Sequence, residues 1–197
     1  MCAQPQPGAA LSAEGQRALD ARLYTAAAGG DAAAVVRLAG EGASADAKNE
    51  RGQPAAVWAA DLGHTAVVEA LLRLGCDPNA PDEYGQTALM HAAYSGHGGV
   101  VGALLEHGGA ELDAVDRDGE TALMLAVDRG RAAVAAQLVE AGADATLRAT
   151  GRICPGKTAL EIAQARGHAE VAALLPRRAG SGRSRGPQVW SCCGRPQ

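Results

Sequence analysis

The chain has 197 residues, 47% of them hydrophobic and 20% charged, with 26 glycines, no Phe and only 3% aromatic residues. That length suits one ordinary domain with a real core, but so few aromatics exclude a core of large interlocking rings, so packing must come from small residues that let helices approach closely. Five of the 18 basic side chains and none of the 22 acidic ones fall in residues 176–197, leaving 13 against 22, or −9, over residues 1–175; so acidic a body excludes a surface that tracks nucleic-acid phosphates.

Residues 1–19 begin MCAQPQPGAALSAEG, with no positive segment followed by an apolar one, so they do not read as a secretory signal. They are expected to form a disordered head. No apolar run approaches the roughly 20 residues that span a bilayer. Five irregularly placed cysteines (2, 76, 154, 192 and 193) make no disulfide framework. These features point to a cytoplasmic protein, with the nucleus as a second compartment.

From about residue 20 the chain repeats itself. Gly30, Gly63, Gly96, Gly130 and Gly167 are spaced 33, 33, 34 and 37 apart, and Gly42, Gly75, Gly108 and Gly142 follow 12 residues behind the first four. The units run about 20–48, 49–81, 82–115, 116–148 and 153–175. The first, LYTAAAGGDAAAVVRLAGEGASADA (23–47), is the weakest copy, and Asp20 and Arg22 give it a polar outer edge. In the third, Leu89, Ala92 and Ala93 share one face of a helix from Thr87 to Tyr94. Thr87 caps that helix, as Thr121 and Thr158 do in their units, and Gly96 ends it in the left-handed conformation. Val100, Val101, Leu104 and Leu105 form the stripe of a second helix closed by Gly108. A polar stretch such as DPNAPDEYG (77–85) then turns the chain back. Thr158-Ala159-Leu160-Glu161 has the capping-box form, and Pro176 stops the last helix. A helix pair this short cannot hide its apolar face alone, so neighbours must stack.

The segments GQPAAVWAADLGHTAVVEALLRLGCDPNA (52–80), GQTALMHAAYSGHGGVVGALLEHGGAELDA (85–114), GETALMLAVDRGRAAVAAQLVEAGADA (119–145) and GKTALEIAQARGHAEVAALL (156–175) resemble the ankyrin repeat. The resemblance implies an all-α solenoid of stacked helix-turn-helix units joined by hairpin-like turns, covering residues 20–175. It implies a non-catalytic, monomeric module that binds another protein, with no cofactor and no metal. The chain departs from the family pattern at Ala88, Ala122 and Ala159, where Pro is usual, and at Val57, Met90, Met124 and Glu161, where His is usual. Looser bracing between turns is expected. Extra residues enter near Gly109–Leu112 and around ATGRICPG (149–156), which lengthens the loop before the last unit.

His64, His97 and His168 look like a metal cluster but occupy one slot in different repeats. Stacked helices lie about 10 Å apart, too far to share an ion bound at about 2 Å. His91 fills the family's variable apolar slot, with Thr25, Trp58, Leu125 and Ile162, and is expected to pack between repeats. Cys76 and Cys154 lie more than two repeats apart without a nearby His, and the glycines cap helices rather than cradle phosphate. No enzyme is legible.

Binding residues follow from the resemblance, which places them at the finger tips and after the Ala-Ala of each first helix. The tips supply Glu50, Arg51 and Gln53; Glu83, Tyr84 and Gln86; Arg117, Asp118 and Glu120; and Lys157. The helices supply Asp61 and Leu62, Tyr94 and Ser95, Asp128 and Arg129, and Arg166. The expected groove is acidic in its middle with two exposed tyrosines, and basic at its last finger through Arg148, Arg152 and Lys157. Residues 176–197 read as a basic disordered tail. Its Cys192-Cys193 pair beside basic residues suits S-acylation, which gives an alternative reading as a membrane-tethered regulator. Asn79 resembles the Asn that asparaginyl hydroxylases modify in ankyrin domains.

Overall fold

The computed structural model describes residues 12–107, 109–151 and 155–175. Among the described residues ten α-helices alternate in two layers. The first helices of the repeats are α1 (Ala13–Ala28), α3 (Ala55–Asp61), α5 (Ala88–Ser95), α7 (Ala122–Asp128) and α9 (Ala159–Arg166). The second helices are α2 (Ala32–Gly40), α4 (Thr65–Arg73), α6 (Gly98–Glu106), α8 (Ala132–Glu140) and α10 (Ala169–Leu174). Each first helix packs on the first helix of the next repeat, and each second helix on the next second helix. The Ala-rich first helices approach one another more closely than the second helices do.

Local chemistry sets the helix starts. Thr87 accepts the Met90 N–H, Thr121 the Met124 N–H, and Thr158 and Glu161 close the reciprocal capping box. Pro54 takes the Thr slot in the second repeat and makes no side-chain cap. Gly96 ends α5 at φ 88°. Residue 108, expected to close α6, lies outside the described residues. One expectation is corrected: Ser12 caps a helix that already begins at Ala13, so residues 13–19 are not a disordered head. That extension lets Gln16 donate to the Gly42 carbonyl and gives the first repeat a longer flank.

The core is aliphatic. Leu23, Leu71, Leu89, Met90, Leu104, Leu123, Leu138 and Ile162 are fully buried, surrounded by alanines. Val57, Met90 and Met124 are buried where the family keeps His, so apolar packing replaces an internal polar brace. Between repeats, two ladders of hydrogen bonds supply cohesion. In the loops after the second helices, Asp46 accepts the Asp77 N–H, Asn79 the Glu111 N–H and Asp113 the Asp144 N–H, each at 2.8 Å, and within the first repeat Asp20 of α1 accepts the Ser44 N–H at the same distance.

The second ladder runs through the turns between paired helices. His64 Nε2 lies 3.2 Å from the Ala28 carbonyl, His97 Nε2 2.9 Å from that of Asp61, and His168 Nε2 3.2 Å from that of Asp128. A carbonyl only accepts, so Nε2 carries the proton. Arg131 takes the same place in the fourth repeat, its Nε 3.3 Å from the Tyr94 carbonyl. Each ring or guanidinium lies against the glycine of the preceding turn. A Cβ at Gly63 would meet His97 Nδ1 at 2.7 Å, in a backbone held at φ 77°. Gly63→Ala is therefore expected to cost about 1–3 kcal/mol by urea denaturation. Gly102→Ala, in α6 with open space around it, is expected to stabilise by about 0.5–1 kcal/mol.

Candidate protein-binding face

Each finger is closed by one side chain. Asn49 Oδ1 accepts the Arg51 and Gln53 N–H groups, Asp82 Oδ1 those of Tyr84 and Gln86, and Asp116 Oδ1 those of Asp118 and Glu120, all between 2.8 and 3.0 Å. The fourth finger has Ala149 in this slot; there the Arg148 guanidinium donates to the Gly156 carbonyl and to Glu161. Asn49, Asp82 and Asp116 were not singled out in the sequence, although each stands three residues before a finger glycine (Gly52, Gly85, Gly119).

The predicted contact residues divide into two sets. Glu50, Arg51, Glu83, Tyr84, Arg117 and Asp118 are exposed at the tips, and Leu62, Tyr94, Arg129 and Arg166 are exposed at the helix ends. Tyr84 is 61% exposed, Leu62 43% and Tyr94 38%. Lys157 is half-buried. The third residue of each finger differs from expectation, because it turns inward between fingers. Gln53 Oε1 accepts from Tyr24 Oη and the Asn49 amide, and Gln86 Nε2 donates to Asp116 Oδ2 at 2.9 Å. Glu120 is only 7% exposed. Gln53 and Gln86 are thus half-buried and hydrogen-bonded within the protein, and Glu120 is buried.

The acidic middle is corrected as well. Asp82 and Asp116 are buried finger closers. Asp61 Oδ1 accepts from Ser95 Oγ at 2.8 Å, and Asp128 Oδ1 lies 2.6 Å from Arg166 Nε. His91 is not an apolar packing residue: its Nε2 lies 2.9 Å from Asp82 Oδ2, and its Nδ1 faces Asp61 of the preceding repeat at 3.6 Å. Asp61, Asp82, Asp116 and Asp128 are thus committed to internal partners, while Glu50, Glu83 and Asp118 stay exposed at the tips. What remains outward is aromatic, aliphatic and mixed in charge.

Other candidates resolve individually. Among the described residues no three metal-ligating side chains gather. Cys76 is buried, and burial, with Asp46 and Asp77 adding to it, pushes its thiol up to about 12, so it is no nucleophile at neutral pH. Asn79 is engaged at both ends of its amide, donating to the Gly109 carbonyl and accepting the Glu111 N–H. Arg152, Cys154, Cys192 and Cys193 lie outside the described residues. No helix among the described residues is long and apolar enough to cross a membrane.

A solenoid of stacked helical hairpins with fingers along one edge defines a class of repeat protein whose members bind other proteins. The family model for ankyrin repeats (3 copies) matches residues 23–116, 84–149 and 109–181, and the chain belongs to that family, a family of non-catalytic interaction modules. No curated protein matches the sequence.

Glu120 yields a test of the inward slot. Burial raises its carboxyl most, and Asp116, Asp128 and Asp118 raise it further against Arg166, to about 7. The unfolded value is near 4.5, so the ionised form costs stability above pH 7, and that cost fades as pH falls toward 4.5. Gln already fills this slot at Gln53 and Gln86. Glu120→Gln is expected to raise stability by roughly 1–3 kcal/mol at pH 8 and to change nothing at pH 4, measured by urea melts across pH.

Proposed function

We propose that this protein is a non-catalytic scaffold, adaptor or inhibitor that holds a protein partner along the face formed by its fingers and first helices. The observation that carries the reading is the exposure of Leu62 in the second repeat and of Tyr84 and Tyr94 in the third on that face, in a fold whose other large apolar side chains are mostly buried among the described residues. Exposed aromatics of this kind are the side chains around which binding energy concentrates. The rigid ladders beneath them present these side chains without ordering cost, which favours a partner bound as a strip across several repeats. The site of action proposed is the cytoplasm or nucleus. Hydroxylation at Asn79 is proposed only for conformations in which its two hydrogen bonds open.

The test is affinity capture with full-length protein, quantified by mass spectrometry, against a Tyr84→Ala/Tyr94→Ala variant. Partners recovered with the wild type are expected to fall at least about tenfold with the variant, because truncating a central aromatic anchor commonly removes 2 kcal/mol or more. The thermal midpoint is expected to stay within a few degrees, since both rings are solvent-exposed. Equal recovery by both proteins overturns the assignment of this face.

A further inference from the structure

Arg129 stands out on the binding face. Its guanidinium carbon lies 4.0 Å from the centroid of the Tyr94 ring, and its side chain is 47% exposed. Among the described residues its side-chain N–H groups make no hydrogen bond; Asp128 Oδ2 lies 4.0 Å from Nε, beyond hydrogen-bond reach. The guanidinium is held over an aromatic face, a contact that limits its freedom while leaving its donors without a hydrogen-bond partner. A guanidinium's fork of donors matches the two oxygens of a carboxylate.

The surrounding charge supports an anion. One carboxylate, Asp128, faces two guanidinium groups, with Arg166 Nε at 2.6 Å and Arg129 Nε at 4.0 Å. Arg131 reaches the Tyr94 carbonyl from the next turn. Of the nearby acids, Asp116 and Glu120 are buried, whereas Asp118 is exposed at the finger tip. Toward the amino-terminal side the same row of helix ends carries Leu62 and then Ser95, so the face passes from apolar to cationic along its length.

We propose that Arg129 reads an Asp or Glu side chain of the partner, two repeats along the row from an apolar side chain held at Leu62. This rests on the binding face assigned above. Neighbouring repeats lie about 10 Å apart, and extended chain advances about 3.3 Å per residue. Over two repeats, the anchor and the acid are therefore about six residues apart in the bound segment.

The experiment selects random peptides of about twelve residues, displayed on phage with both ends embedded in coat protein, against full-length protein. Enriched peptides are then synthesised with blocked termini and titrated against wild type, Arg129→Gln, Arg129→Lys and Tyr84→Ala. The expected result is enrichment of sequences pairing an apolar residue with Asp or Glu. Their affinity falls at least about tenfold with Arg129→Gln and is not restored by Arg129→Lys, because an ammonium neither stacks flat nor binds both oxygens. Enrichment of Lys or Arg, or affinities unchanged by Arg129→Gln but lost with Tyr84→Ala, overturns the carboxylate and leaves the face standing. Peptides indifferent to both positions, or no enrichment at all, overturn the face and the carboxylate together.

Discussion

The turn imidazole that reaches back to the preceding repeat is the contact on which the stack depends. Each hydrogen bond of this kind contributes only about 1 kcal/mol. Its position matters more than its energy. His97 can lie against Gly63 only because no Cβ stands there, and in that place it joins the end of α3 to the start of α6 across the repeat boundary. Repeated at His64, Arg131 and His168, the contact fixes how far and at what angle each unit sits on the last. Finger spacing and the register of the exposed side chains follow from that placement.

A second consequence concerns charge. An acidic body seems at first to promise an acidic groove. Its aspartates instead serve the backbone: Asp82 and Asp116 hold fingers closed, Asp46 and Asp113 join loops, and Asp61 and Asp128 take donors from the following repeat. Fixed carboxylates that accept backbone N–H groups stiffen the scaffold, and the acids left exposed on this face are Glu50, Glu83 and Asp118 at the tips. Leu62, Tyr84, Tyr94 and Arg129 are exposed beside them on the proposed binding face.

Much of the architecture was readable in the residues themselves. Glycines at a 33-residue spacing, Thr87, Thr121 and Thr158 before short apolar runs, and the capping box at Thr158 and Glu161 each state a local backbone requirement. The exposure of Tyr84 and Tyr94 followed from their slots. The inward turn of Gln53, Gln86 and Glu120 did not, because all three are polar and stand beside exposed tips; only the neighbouring finger decides which side of the strip they face. His91 was misjudged for a similar reason, since its two carboxylate neighbours lie nine residues before it and on another repeat. The early start of α1 was hidden because residues 13–19 lack the repeat's own pattern, and their contacts lie more than twenty residues ahead.

By itself the sequence determined the period, the helix ends and the apolar faces, since these arise from short-range backbone chemistry and from burial that each unit repeats. Tertiary structure alone decided which polar side chains face a partner and which face the next repeat. That choice depends on donors and acceptors brought together from positions about thirty residues apart, as when Gln86 meets Asp116 and Arg129 settles on Tyr94.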